Sequence, residues 1–208
     1  MTYDIRIDDV FIVDGNGTLG FRGNLGISKG VITALGDAPD QAKEVINGEG
    51  KVVSPGFIDI HTHYDAQIIW DKMLTISPWH GITTVLIGNC GFGIAPTRAE
   101  HQDLIIGTLE KVEGMSRKAL HAGLGEWPFE TFSEYLDTIE SQGTAVNVAC
   151  YLGHSPLRVY VMGEDAMSRE AREDEIDQMK TLLREAIEVG AIGLATSESP
   201  NHVGYEGR

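Results

Sequence analysis

The sequence predicts an α/β protein in which a small all-β segment precedes about four βα units. In residues 1–54, short runs of alternating apolar and polar residues are separated by turns rich in Gly, Asn and Asp, as in half-buried strands joined by hairpins. From residue 55 onward, short apolar runs alternate with helical stretches of roughly 10 to 20 residues, which is typical of a parallel sheet. We therefore expect two domains, a small β-sandwich-type segment at 1–54 and an α/β part at 55–208.

The composition argues against several classes of partner. The 208 residues carry a net charge of −15, and the 16 basic residues are scattered, so we expect neither nucleic acid nor an anionic membrane surface as partner. Two cysteines, no apolar export signal at the N-terminus and no apolar run of about 18 residues predict a reduced, cytoplasmic protein. With 42% hydrophobic residues, the chain has enough apolar side chains to form a core.

The predicted strands differ in character between the two parts. Those of the first part are short and alternating, and they cover residues 3–7, 10–13, 25–28, 31–35 and 44–46. Those of the second part are apolar runs, and they cover residues 57–60, 82–87, 145–152 and 191–195. The run 82–87, ITTVLI, is β-branched and uninterrupted, as expected for a strand that is buried on both faces.

Helices are predicted between the strands of the second part. One begins at a capping box in which Thr131 is followed three residues later by Glu134. A longer acidic helix is expected from a cap at Ser168 to a stop at Gly190. A third region, 104–120, contains two glycines and is expected to form two pieces.

A metal site is the main chemical hypothesis from the residues themselves. His61 and His63 follow the first strand of the second part, and the period of two points both side chains to the same side. Cys90 follows the next strand, and in such folds the strand ends carry the chemistry. Imidazole and thiolate are favoured zinc ligands. The alternatives are histidines that only cap a strand, and a Cys90 that is a small buried hydrophobe or a nucleophile; Cys150, inside an apolar strand, is expected to be buried.

Five further residues are candidates for contact with a substrate or with the metal ligands. His154 follows the third strand and is expected to be a substrate-binding group, a residue that supports the ligands, or a third imidazole ligand. The alternative is a hydrogen-bonded histidine with no direct role. Asp59 and Asp65 flank the histidine pair and would orient a ring or cap the following helix. Ser197 and Tyr205 lie in a stretch of loop composition, where they either contact substrate or belong to a solvated loop.

Four segments carry a resemblance to a known family. They are GFIDIHTHYD (56–65), HGITTVLIGNCGFGIAP (80–96), YLGHSPLR (151–158) and GAIGLATSESPNHVGYEGR (190–208). The chain resembles the amidohydrolase superfamily, and the GNCG turn narrows the resemblance to the N-acyl-D-amino-acid deacylases, or D-aminoacylases. This implies a (β/α)₈ barrel joined to a small β domain, with one or two zinc ions held by residues matching His61, His63 and Cys90. It further implies that a metal-activated water attacks the amide bond of an N-acyl-D-amino acid while a carboxylate moves the proton.

The chain departs from this family in its length. A closed barrel takes about 250 residues, whereas about 155 follow Ser54, enough for a partial barrel. No position matches the later histidine ligands or the catalytic aspartate of the family. We therefore expect the N-terminal part of a longer enzyme, or a truncated gene product, which is inactive alone and self-associates through exposed barrel edges. The alternatives are a cyclic-amide hydrolase of the dihydroorotase or hydantoinase kind, and a non-catalytic binding protein with the amidohydrolase fold.

Overall fold

The computed structural model describes residues 2–199, which divide after Gly56 into two compact units. Tyr205 lies outside the described residues. Within residues 2–199, every helix falls short of the length and apolarity that a membrane span requires.

The first unit is a single five-stranded sheet. Its strands are β1 (Tyr3–Ile12), β2 (Phe21–Ser28), β3 (Val31–Gly36), β4 (Ala42–Asn47) and β5 (Val52–Val53). The order is β3-β2-β1-β4, and β5 also pairs with β1. The first three strands pair antiparallel, whereas β4 and β5 run parallel to β1.

The pairing differs from the predicted sandwich-type segment of hairpins in two ways. The predicted runs 3–7 and 10–13 are one strand with a bulge, because Ile7 pairs with Leu25 and Val10 with Gly23, three positions on β1 against two on β2. The last two strands cross over to pair parallel with β1, and all five strands join one sheet. Alternation shows only that a strand has one buried face, so it does not reveal the direction of its partner.

The second unit is an α/β fold with parallel strands, as the sequence predicts. Its strands are β6 (Phe57–Asp59), β7 (Ile82–Ile87), β8 (Asn147–Cys150), β9 (Leu152–Gly153) and β10 (Leu194–Ala195). β6, β7 and β8 pair parallel in that order, and β9 pairs parallel with β10. Tyr151 joins the two groups, since its N–H donates to the Ile87 carbonyl at 2.9 Å. Strand order therefore follows chain order, as expected for successive βα units.

The helices of the second unit cover the sheet. They are α1 (Gln102–Glu113), α2 (Arg117–Leu124), α3 (Phe132–Gln142), α4 (His154–Met162) and α5 (Glu173–Glu188). Short 3₁₀ segments lie at Gln67–Ile69, Ser77–His80, Asn89–Gly91, Ala99–His101 and Gly163–Met167. Val85 and Ile87 of β7 are fully buried in the same core as Ile105, Ile106 and Leu109 of α1. This core holds the end of β7, and with it the turn that follows, in place.

Two of the predicted helix starts have different outcomes. The capping box at Thr131 is confirmed: its hydroxyl accepts the Glu134 N–H at 3.2 Å, and the Glu134 carboxylate accepts the Thr131 N–H at 2.9 Å. The predicted cap at Ser168 is wrong, because α5 begins at Glu173 with Arg172 as its N-cap residue. There the Glu175 carboxylate accepts the Arg172 N–H at 2.8 Å and replaces the expected serine cap.

The two predicted glycine breaks in 104–120 also differ. Gly114 has a φ of 65° and separates α1 from α2, as predicted. Gly107 lies inside α1 and is buried there, so it does not interrupt the helix. His154 begins a helix, α4, which the sequence does not predict.

The buried Glu175 carboxylate makes the stability of α5 depend on pH. Its side chain is 5% exposed and pairs with Arg169 and Arg172 at 2.7 Å each. Hydrogen bonds from Arg169 are the main cause that lowers its pKa from 4.5 to about 2. A carboxyl with a depressed pKa in the folded state stabilises the fold above its unfolded pKa, and this contribution is lost as the pH falls through the folded value.

We predict that Glu175→Gln reduces the loss of stability between pH 4.5 and pH 2, because the substituted side chain does not titrate. The measurement is the urea midpoint as a function of pH for the natural sequence and the variant. Asp174→Asn, which changes an exposed neighbouring carboxylate, is the control and should keep the natural slope. Equal slopes for Glu175→Gln and the natural sequence would contradict the prediction.

Candidate metal centre

The loop after β6 presents two histidines on one side because the residue between them is tied to β7. The Thr62 hydroxyl donates to the Leu86 carbonyl at 2.7 Å, and the Thr62 N–H donates to the same carbonyl at 3.2 Å. Thr62 is buried, and the rings of His61 and His63 lie on the opposite side with their centroids 5.2 Å apart. Side chains therefore continue to alternate between the two faces beyond Asp59, the last residue of β6.

The turn Gly88–Gly91 places Cys90 at the end of β7. Gly88 and Gly91 both have a φ of 81°, and Cys90 itself has a φ of 58°, which is uncommon for a residue with a side chain. The buried Asn89 amide holds this conformation, since it donates to the Leu86 carbonyl at 2.9 Å and to the Thr62 carbonyl at 3.1 Å. The turn and the histidine loop are thus joined to one another and to β7.

The glycines of this turn also let neighbouring strand ends approach closely. A Cβ at Gly88 would overlap the Tyr151 carbonyl, and a Cβ at Gly91 would lie 2.9 Å from the Cα of Thr196. A Cβ at Gly153 would lie 2.9 Å from the Gly91 carbonyl oxygen. Because only glycine fits such contacts, the ends of β7, β9 and β10 meet at one edge of the sheet.

Three potential metal ligands converge at this edge. The Cys90 Sγ lies 3.2 Å from His61 Nε2 and 3.9 Å from His63 Nε2. One donor atom from each residue falls within 4.8 Å of the other two. Two imidazoles and a thiol are a donor set that suits zinc, so the chemistry of these residues fits the metal that the sequence predicts.

The surroundings of Cys90 oppose ionisation of its thiol. Burial and the negative charge of Glu113 both raise the pKa of Cys90 above its ordinary value of 9.0. Cys90 is partly exposed, whereas Cys150 is buried as predicted. A thiolate at Cys90 therefore requires a nearby positive charge, which a bound divalent cation supplies.

Asp65, two residues after His63, is buried. Burial raises the pKa of Asp65 to about 7, although N–H groups of Asp65 itself and of Gly88 bond its carboxylate and lower the pKa. The Tyr135 hydroxyl donates to the Asp65 backbone carbonyl at 2.8 Å. Asp65 therefore links the histidine loop to the start of the Gly88–Gly91 turn.

Comparison with known proteins identifies the family of the chain. Residues 44–206 match the family described as "Amidohydrolase family". The chain belongs to the amidohydrolase family.

Three similar proteins narrow the comparison within the amidohydrolases. The chain is 37% identical over 195 residues to a D-aminoacylase of Alcaligenes xylosoxydans xylosoxydans, which covers 93% of this chain and 37% of that protein. A crystal structure of the N-acyl-D-glutamate deacylase of Bordetella bronchiseptica, with zinc and a phosphonate inhibitor, aligns with a TM-score of 0.76 and 32% identity over 94% of this chain and 38% of that one. A D-aminoacylase structure, from a study of its binuclear metal centre, aligns with a TM-score of 0.76 and 35% identity over 93% of this chain and 38% of that one. The chain therefore spans less than two fifths of the length of these relatives.

The remaining predicted site residues of this amidohydrolase have mixed outcomes. The Asp59 carboxylate accepts the backbone N–H of His61 at 3.2 Å, so this bond is to the backbone of His61 and not to its ring. The 3₁₀ segment Gln67–Ile69 has Ala66 as its N-cap residue, so neither Asp59 nor Asp65 caps it. Ser197 is exposed, and Tyr205 is not among residues 2–199.

His154 is not a member of the group formed by His61, His63 and Cys90. Its Nδ1 is 3.3 Å from the Thr196 hydroxyl. Burial lowers the pKa of His154, and the nearby charge of Arg158 lowers it further, so the ring is neutral at neutral pH. His154 borders an open groove of about 750 Å³ that is lined by α4, α5 and the segment 166–171 between them.

Sequence reasoning missed two residues of the centre. Asn89 was part of the recognised GNCG turn, but its bonds to two other carbonyls appear only in the fold. Glu113 lies 3.3 Å from His63 Nδ1 and has no local motif to mark it.

We predict that Gly88→Ala destabilises the second unit more than a glycine substitution that meets no neighbour. The new Cβ adds a backbone clash with Tyr151 to the strain of a positive φ. Gly114→Ala is the matched control, since Gly114 lies in the same unit, has a φ of 65° and has open space around a Cβ. We expect a loss of about 1–2 kcal/mol for Gly114→Ala and of about 4 kcal/mol or more for Gly88→Ala, in urea unfolding. Equal losses would show that the strand ends separate easily.

Proposed function

We propose that this chain is part of a zinc-dependent hydrolase that cleaves the amide bond of N-acyl-D-amino acids. The observation that carries the proposal is the convergence of His61, His63 and Cys90 within 4.8 Å. It occurs in an amidohydrolase that is 37% identical to a D-aminoacylase. The enzyme would act on carbon–nitrogen bonds other than peptide bonds, and its substrates would be small molecules.

In this proposal His61, His63 and Cys90 are metal ligands. Zinc, when bound, lowers the pKa of a coordinated water and polarises a carbonyl group. The three protein donors match the number that a catalytic zinc site takes, so we propose one zinc ion bound by these residues. A second ion would need additional donors, and one solved relative is described as having a binuclear centre.

The other predicted site residues have supporting roles in the proposal. Asp65 and Asp59 hold the histidine loop through backbone contacts. His154, which borders a groove as a neutral ring, would contact substrate together with Ser197 and Tyr205. We assign no catalytic residue in this chain, and the proton-transferring carboxylate would come from a part of the enzyme that the chain does not contain.

We further propose that the second unit is the first part of a (β/α)₈ barrel. Its parallel strands follow chain order, and the relatives are more than twice as long as the chain. The exposed side chains of Phe57, Ile58 and Ile60 at β6 would support self-association of the isolated chain. A cytoplasmic location is also part of the proposal, because a thiolate ligand must remain reduced.

The activity test compares this chain with the protein as it occurs in its natural source, whose intact mass is measured first. We expect the natural protein to exceed 22.6 kDa and to release free amino acid from N-acetyl-D-amino acids but not from their L enantiomers. The purified 208-residue chain is expected to bind zinc without turnover. Turnover of N-acetyl-D-amino acids by the chain alone would contradict its proposed inactivity. Hydrolysis of hydantoins or dihydroorotate in place of these substrates would favour a cyclic-amide hydrolase.

Zinc binding should depend on Cys90 and not on the other thiol. We predict that Cys90→Ala lowers the zinc content of the purified chain to well below one equivalent, because the variant has lost one of three converging donors. Cys150→Ala removes a buried thiol outside this group and should retain the metal. Elemental analysis after dialysis measures both variants. Equal zinc contents would contradict the assignment of Cys90.

A further inference from the structure

Glu113 stands behind one of the proposed ligands. It is the last residue of α1, and its side chain is only 16% exposed. Its Oε1 lies 3.3 Å from Nδ1 of His63, whose side chain is 22% exposed. The carboxylate therefore approaches His63 from the side opposite to Cys90, which lies 3.9 Å from Nε2.

This location is unfavourable for a carboxylate in terms of stability. A negative charge at the C-terminal end of a helix opposes the helix dipole. Burial removes it from water, and its charge raises the pKa of both Cys90 and Asp65. The basic side chain next to the Glu113 carboxylate is that of His63. Glu110, one turn earlier on α1, is exposed and has none of these features.

The two nitrogens of the His63 ring have different partners. A neutral imidazole carries one N–H and one lone pair, and the hydrogen bond made by one nitrogen decides which one is protonated. The negative charge of the Glu113 carboxylate, 3.3 Å from Nδ1, favours a proton on that nitrogen, which leaves the lone pair on Nε2, the nitrogen that faces Cys90. Carboxylates in this position fix the orientation of metal-binding histidines and strengthen them as ligands.

We propose that Glu113 is a positioning residue that holds His63 as its Nδ1–H tautomer with Nε2 directed at the metal. This inference rests on the metal site of the proposed function. Glu113 contributes through His63 and is not itself a ligand, since the group of three converging donors does not include it. In this view, the cost of burying the Glu113 charge is offset because the carboxylate orients His63 for metal binding.

The experiment compares Glu113→Gln with Glu110→Gln in the full 208-residue chain. Cobalt(II) is the probe, and its absorption from thiolate and ligand-field bands reports binding. We expect Glu113→Gln to weaken cobalt binding by about 10- to 100-fold, whereas Glu110→Gln stays within about twofold of the natural sequence. Without metal, Glu113→Gln should melt at or above the natural temperature, because it removes a buried charge at a helix C-terminus. A purely structural role for Glu113 would lower the melting temperature.

Nitrogen-15 NMR of the His63 ring in the metal-free chain tests the tautomer directly. We expect Nδ1–H in the natural sequence and in Glu110→Gln, and a mixture of tautomers in Glu113→Gln. An Nε2–H tautomer in the natural sequence, or equal cobalt affinities for the two variants, would overturn the inference. A changed shape of the cobalt ligand-field bands in Glu113→Gln would do so too, since it would identify Glu113 as a ligand. If the natural chain binds no cobalt, the proposed metal site fails, and the tautomer comparison alone decides the role of Glu113.

Discussion

The backbone of the turn Gly88–Gly91 determines whether a metal centre can form in this protein. Its left-handed residues turn the chain sharply at the end of β7 and direct the Cys90 sulfur toward the histidine loop. Asn89 fixes the turn by bonding carbonyls of both β7 and that loop. The positive φ of Cys90 costs about 1–2 kcal/mol, so the surrounding contacts must compensate for it. Such local strain is commonly concentrated at functional sites.

The charged groups around the centre also favour a bound cation. Asp65, Cys90 and Glu113 are acidic groups near two imidazoles, and burial disfavours the charged forms of Asp65 and Cys90. A divalent cation relieves this arrangement because it stabilises a thiolate and offsets neighbouring negative charge. The metal-free fold is therefore expected to gain stability when a cation binds to it.

The centre is assembled from successive βα units. His61 and His63 follow β6, Cys90 follows β7, and the contacts of Gly88 and Gly91 extend to the ends of β9 and β10. Parallel strands bring these ends to the same edge, which is where α/β enzymes place their chemistry. Glu113, which contacts His63, comes from a more distant part of the sequence, at the end of helix α1. A short stretch of this amidohydrolase thus contains the three proposed ligands, but their placement depends on the packing of the whole unit.

The sequence by itself determined the features that depend on local periodicity and local hydrogen bonds. The strand predicted at 82–87 has the observed limits, because its β-branched residues favour extended backbone. The expected burial on both faces is wrong, since Val85 and Ile87 are buried whereas Thr84 and Leu86 are only half-buried and Thr83 is exposed. The capping box at Thr131 is likewise local, since both of its bonds join residues three apart. The spacing of His61 and His63 placed both rings on one side, because side chains alternate along extended backbone.

Only the tertiary structure decided the features that join distant parts of the chain. The parallel pairing of β4 with β1 and the buried role of Glu175 as a helix cap have no distinct local pattern. Glu113 contacts His63, which lies 50 positions earlier in the sequence. Nothing in the residues around either one specifies this contact, because it is created when α1 packs on the sheet. Periodicity identifies which face of an element is buried, whereas packing alone selects its neighbour.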